Sequence, residues 1–344
     1  MTSECPAPYT EQERVLLGHG AGGRLTAELL DQLVLPAIGG NPNAPFEDAA
    51  VVPGSTELVI STDSFVVSPL AFPGGDIGSL AVHGTVNDLA MRGALPVALS
   101  LAVIAEEGLP LAELRSALIS AGKAAHAVGV PVVTGDTKVV GRGAADGLFL
   151  NTTGIGRRIP GLSPSAARAR PGDVILLSGP VGLHGTAVLS VREGLGFEAD
   201  IASDTRPLHR LVRALAPCGP AVHALRDPTR GGLAAALNEI ARDSTVTVEI
   251  EEGALPVPAP VAAACDLLGL DPLTVANEGC MIAFVAPDGA RSALAALRSL
   301  PEGAQAMRIG EVTAEPGGRV VLRTLVGARR LVELPLGEQL PRIC

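Results

Sequence analysis

Hydrophobic and polar positions along the chain set out two successive series of short apolar runs and longer helical stretches. In the first series, residues 14–18 and Leu58 to Ser61 read as strands, and Arg24 to Leu35 has helical periodicity. Gly74-Gly75-Asp76 opens a helix that runs to about Arg92, with Asp76 as its N-cap. Val97 to Ile104 is a predicted strand, Leu111 to Val128 a helix, and Leu148 to Gly156 a strand. Pro131 to Val140 is a strand interrupted by Gly135-Asp136-Thr137-Lys138. Arg, Pro, Ser and Gly then dominate 157–172, as in a linker. The second series has strands at Asp173 to Ser178, Val246 to Ile250 and Met281 to Ala286, and near 306–313 and 318–325. Its helices are Leu183 to Arg192, Pro207 to Leu215, Leu233 to Arg242, Pro260 to Leu268 and Ala290 to Leu297. Strands alternating with helices on both sides of a linker predict two layered domains of α+β or α/β type.

The helix beginning at Asp76 carries His83, Asn87 and Asp88 on an otherwise small, apolar sequence. It is therefore largely buried, and a buried acid needs a partner or a metal. Asp48, Asp63, Asp136 and Asp227 fall at turns, at element ends or beside glycine, where a fold presents side chains to a cleft. Taken singly, each also reads as a turn or cap residue. Together they suit a magnesium ion shared with nucleotide phosphates. His19-Gly20-Ala21-Gly22-Gly23 leads into a helix and reads either as a tight turn or as backbone that cradles an anion.

Composition narrows the partners. Of 344 residues, 47% are hydrophobic and 18% charged, which describes a packed globular protein. A net charge of −10, no tryptophan and few aromatics argue against nucleic acid and against an anionic membrane surface. Five cysteines without CxxC spacing fit reduced thiols in a cytoplasm. Arginine is abundant but only Lys123 and Lys138 are lysines, so Lys138 marks a position suited to a compact, titratable ammonium. The chain ends Pro341-Arg342-Ile343-Cys344. The tail is either a frayed end or an arm of roughly 30 Å reach carrying a group on sulfur. Chemistry elsewhere in the chain decides between the two.

Several stretches share one likeness: His19 to Gly23, Pro73 to Gly78, Ala81 to Ala90, Gly135 to Val140, Asp227 to Gly232, Ala276 to Gly279 and the terminal Pro-Arg-Ile-Cys. The chain resembles the HypE family of hydrogenase expression/formation proteins, the carbamoyl dehydratases of NiFe-hydrogenase maturation, within the PurM-like ATP-binding superfamily. The glycine and aspartate elements belong to the superfamily, whereas GDTKVV and PRIC are specific to the family. The resemblance implies an α+β, PurM-like two-domain fold. Residues 1–158 would be an ATP/Mg-binding, barrel-forming dimer domain, 170–330 a C-terminal α/β sandwich, and 331–344 a carrier tail.

The same resemblance implies ATP and Mg2+ between the domains. His19, Gly20, Gly22, Gly23, Asn87, Asp136, Thr137, Arg230, Gly231 and Gly232 would lie at the nucleotide. Asp48, Asp63, Asp88, Asp136 and Asp227 supply the candidate metal ligands. Cys344 would receive a carbamoyl group from the carbamoyltransferase HypF, ATP would drive its dehydration to a thiocyanate, and cyanide would pass to iron on HypC–HypD. Glu278 and Lys138 are the residues expected to remove the amide protons, and the enzyme would be a cytoplasmic homodimer. Glu47 departs from the superfamily, which often has a second Asp there. A selenophosphate synthetase, a thiamine-phosphate kinase and a non-catalytic ATP-binding scaffold are the rivals. The first would need a reactive residue in a Gly/Lys context near the N-terminus, where Cys5 has no lysine nearby.

Overall fold

The computed structural model describes residues 14–16, 19, 28–39, 54, 57–194, 201–334, 340 and 342–344. The first half builds a four-stranded sheet from β1 (Leu58–Phe65), β4 (Ala94–Glu106), β5 (Val132–Val140) and β6 (Leu148–Arg158), in the order β1-β6-β4-β5. β6 is antiparallel to both neighbours, and β4 pairs parallel with the edge strand β5. A two-stranded ribbon of β2 (Ala71–Phe72) and β3 (Gly75–Asp76) leads into helix α1 (Ile77–Met91). The predicted cap is present: Asp76 accepts from the Ser79 N–H while the Ser79 hydroxyl returns to the Asp76 backbone, a reciprocal pair that fixes where the helix starts.

α1 and α2 (Leu111–Val128) cover one face of the sheet. Alternation along β1 turns Val59, Ser61, Asp63 and Phe65 toward α1, and leaves Leu58, Ile60, Thr62 and Ser64 on the open face. Leu58 and Ile60 are 49% and 70% exposed there, so among the described residues nothing covers this end of the face.

The second half is a seven-stranded sheet in the order β13-β12-β9-β11-β7-β10-β8. Its strands are β7 (Val174–Leu177), β8 (Val222–Arg226), β9 (Val246–Glu251), β10 (Ile282–Val285), β11 (Met307–Pro316), β12 (Arg319–Arg323) and β13 (Arg329–Val332). Every residue of β10 is buried, because both faces are covered. Ile282 and Phe284 join a core formed with α5 (Gly232–Ser244), while Ala283 and Val285 join one formed with α4 (His209–Ala214) and α7 (Pro287–Arg298). Helices α3 (Leu183–Arg192) and α6 (Ala259–Leu268) complete this half.

Three expectations change. Gly135–Lys138 does not interrupt its strand but runs inside β5, because a Gly135 side chain would strike the Leu101 carbonyl of β4 and glycine lets the backbones close. β8 and β13 emerge where the sequence pattern shows no strand. The 157–172 segment is not a loose linker: Ile159 and Leu162 are buried in the same cluster as Ala90 and Met91 of α1.

Candidate active site

β1, α1, the end of β8 and the 276–280 turn converge on one cleft of about 420 Å3 between the two halves. Asp63 reaches it because β1 alternation aims the side chain at α1, and Asp88 because it lies on the α1 face opposite β1. Ser61 donates to Asp88 across that gap at 2.6 Å. Asp227 sits where β8 ends, and Glu278 sits in the turn before β10. Arg226, Thr229 and Arg230 add polar and cationic walls. Gly84 of α1 faces Phe65, where a Cβ would come within 2.8 Å of the ring, so the helix lies directly on β1.

Burial raises these carboxyls, and repulsion between them adds to it at Asp88, Asp227 and Glu278. Burial pushes Asp227 up to about 7, with Asp88 adding repulsion. Burial likewise raises Asp63 and Asp88, and it holds Glu278 well above the usual carboxylate range, helped by Asp227 and Asp204. Several acids forced toward one water-poor space favour a divalent cation or protonation. Among the described residues no three acidic, histidine or cysteine groups already form a closed metal cage. One or two carboxylates plus phosphate oxygens is the ligand set that magnesium takes. Asp63, Asp88 and Asp227 fit that role.

Cys344 lies in the same cleft. The tail packs Ile343 and Cys344 into the first domain's core, leaving Cys344 8% exposed, yet its residue still opens on the acids. The docked end runs alongside Val66–Ser68, with Arg342 in the left-handed region at φ +53°. Val66 and Ser68 N–H donate to the carbonyls of Cys344 (3.0 Å) and Arg342 (3.2 Å), and Arg342 Nε donates to Val66 O (2.9 Å). The intervening Ile343 carbonyl accepts from His184 Nε2 at 2.7 Å, and Arg192 also donates to Arg342 O at 2.7 Å. Arg342 is further paired with Asp146 and lies over the Phe149 ring.

Burying Ile343 contributes roughly 1.5–3 kcal/mol. Each of these five hydrogen bonds adds about 0.5–1.5 kcal/mol.

Other predicted site residues lie elsewhere. Asn87 is fully buried with its amide spent on backbone. It donates to Arg206 O and Glu278 O and accepts from Leu208 N–H, which makes it a tie between domains rather than a nucleotide ligand. Asp136, Thr137 and Lys138 lie on the edge strand β5, where Lys138 pairs with Asp136 and the two side chains are 65% and 59% exposed. β1 is at the opposite edge, three strand spacings or about 14 Å across the sheet, so one chain does not bring Lys138 or Asp136 to Glu278. His19 closes a turn by accepting from Leu16 N–H, and burial lowers its pKa; it is not among the cleft-lining residues.

Arg230 lines the cleft. Gly231 and Gly232 have φ of +74° and +60°, and a Gly232 side chain would lie 2.5 Å from Leu273 O, so their identity follows from the entry into α5. Gly20, Gly22, Gly23 and Asp48 lie outside the described residues. Sequence reading missed Asp204, whose carboxylate accepts from Glu278 and Gly279 N–H and fixes the Glu278 turn. It also missed His184 and Arg192, which sit in an ordinary-looking helix. The only sequence sign for Asp204 lies on its neighbour: Gly279, where any Cβ would meet Asp204 O at 1.6 Å.

Residues 46–158 match the family "AIR synthase related protein, N-terminal domain", and 170–323 match its C-terminal domain. A protein of Azotobacter vinelandii named carbamoyl dehydratase HypE is 52% identical over 332 residues, covering 95% of this chain and 96% of its own. The crystal structure of hydrogenase maturation protein HypE in complex with ATP superposes with a TM-score of 0.90 at 49% identity, covering 96% of this chain and 99% of that one. A HypE–HypF complex structure aligns with a TM-score of 0.79 at 47% identity over 81% of this chain and 90% of that one. The chain belongs to the HypE family of hydrogenase maturation proteins, built on the PurM-like two-domain fold.

Proposed function

We propose that this protein is an ATP-dependent carbamoyl dehydratase that converts an S-carbamoyl group on Cys344 to S-cyanate. The single observation that carries the reading is Cys344 in the acidic cleft beside Asp63, Asp88, Asp227 and Glu278. The ATP complex and the HypF complex of two solved HypE relatives support the nucleotide and the carbamoyl donor. Cyanide would leave for the iron of HypC–HypD. The reaction belongs in a reducing cytoplasm, where a carrier thiol stays reduced. Among the described residues no helix is long and apolar enough to cross a membrane.

The thiocarboxamide oxygen is a poor leaving group, so it attacks the γ-phosphoryl of ATP, releasing ADP. The C–O bond then breaks with phosphate as leaving group while two protons leave nitrogen, giving R–S–C≡N. Magnesium on Asp63, Asp88 and Asp227 would supply charge neutralisation for the phosphates. The chain's own residues orient and exclude. Val66 N–H, His184 and Arg192 hold the tail, and burial of Cys344 keeps water from the O-phosphorylated thiocarboxamide. Glu278 sits where it can take an amide proton. Burial, with the neighbouring acids, raises its pKa, which suits a group that takes and gives up a proton.

A homodimer accounts for Lys138. Among the described residues β1 and β5 are the edges of a sheet whose outer face exposes Leu58 and Ile60. Pairing such edges between two copies closes a barrel and covers that face. It also sets Lys138 of a second copy beside β1 and the cleft. The test of the carrier reading is Cys344→Ala. This variant should bind ATP as the parent does and yield no cyanated protein in the presence of HypF and carbamoyl donor. Cyanide reaching iron through Cys344→Ala would overturn it.

A further inference from the structure

Three consecutive residues between the halves reach the tail through His184 and bond directly to the Glu278 turn and the acid-bearing helix. Ser203 Oγ lies 2.7 Å from His184 Nδ1, whose Nε2 lies 2.7 Å from Ile343 O. A carbonyl can only accept, so Nε2 carries the proton and Nδ1 accepts from the Ser203 hydroxyl. Asp204 accepts from Glu278 N–H (3.0 Å) and Gly279 N–H (2.9 Å). Thr205 Oγ1 lies 3.2 Å from His83 Nδ1 on α1. Ser203 N–H is itself fixed to Pro73 O at 2.7 Å, just ahead of the α1 cap.

On the dehydratase reading above, we propose that His184, oriented by Ser203, is the positioning residue that sets the tail thiol against Glu278. The ring is fully buried and stands edge-on to Phe72 at 5.2 Å, so its direction is locked. An apolar side chain would fill this space without the cost of burying an imidazole, and its N–H serves the tail carbonyl that the Val66–Ser68 side cannot reach. Burial lowers its pKa to about 4, so it is neutral across the physiological range and keeps this donor–acceptor order. Arg192, eight residues on and two turns along α3, holds the next carbonyl and Ser68 O together. The 203–205 turn thus measures the thiol against the Glu278 backbone through side chains that touch neither substrate nor nucleotide.

The test uses the full-length protein and needs no reaction at first: the rate at which iodoacetamide alkylates Cys344, followed by peptide mass mapping. His184→Leu and Ser203→Ala should each speed alkylation about two- to tenfold, the effect of losing one hydrogen bond from a docking equilibrium. His184→Gln keeps a donor and should restore the slow rate. In the carbamoylated protein with Mg–ATP, His184→Leu should slow single-turnover loss of water by at least the same factor while ATP affinity is unchanged. Ser203→Ala removes only a hydroxyl, so it carries the test if His184→Leu fails to fold. Unchanged alkylation in folded Ser203→Ala and His184→Leu would overturn the proposal, and so would faster alkylation with undiminished dehydration. If the unsubstituted protein never loses water, the dehydratase reading fails while the docking result stands by itself.

Discussion

The edge of the four-stranded sheet and the floor of the cleft carry the same kinds of side chain in opposite surroundings. On β5, Asp136 and Lys138 meet in open water, with side chains more than half exposed. In the cleft, Asp63, Asp88, Asp227 and Glu278 crowd together out of water, and each is raised in pKa, chiefly by burial. Two residues that sequence reading joined in one proton relay, Lys138 and Glu278, lie in these two regions. Burial, not residue type, makes an acid able to take and release protons near neutral pH. The lysine gains such a setting only if a second chain supplies it.

That contrast is broken or sharpened most strongly by mixing two inactive variants. Glu278→Gln and Lys138→Ala should each lower dehydration about 100- to 10,000-fold, the range for a lost proton-transfer group. If the site is built across two copies, co-refolded mixtures recover roughly a quarter of the sites, each pairing an intact Glu278 with an intact Lys138 from the other chain. Recovery with each variant's own turnover still abolished supports the dimer; no recovery returns Lys138 to a surface role.

A smaller effect reads the cleft acids by themselves. Asp227 titrates at about 7 in the folded chain against an ordinary 3.8, so the folded state binds the proton more tightly than the unfolded state. The Asp227 contribution to the stability of the nucleotide-free protein therefore falls as pH rises from about 4 through 7, and it changes little above that. Asp227→Asn should flatten this slope of the thermal midpoint, with Glu278 contributing the remainder in the same direction. A midpoint that rises over that window would contradict the crowded, protonated cleft.

Much of this was legible in the sequence where local rules decide. Asp76 caps α1 because an Asp before an apolar helix with Ser three residues on satisfies exposed N–H groups from both sides. α2 and α3 have the predicted bounds because their apolar period is long and their ends are marked by Gly129 and by the Gly182 turn. β13 was not legible, since an edge strand with three exposed residues out of four carries no alternation to read. Glu278 reads equally as a surface turn acid, and only the fold buries it, by closing Gly279 onto Asp204. His184 gave no sign because its partner, Ile343, lies 159 residues away. The tail shows both halves of the lesson. Its ending raised a carrier arm beside a frayed end, and its binding to Val66 and Ser68 depends on a long-range approach that no local pattern specifies.

The most direct measurement is intact-protein mass spectrometry of the carbamoylated chain before and after incubation with Mg–ATP. A decrease by the mass of one water, mapped to Cys344 and absent without ATP, is the predicted result. An unchanged mass at Cys344, or a loss that maps to any other residue, would contradict the account.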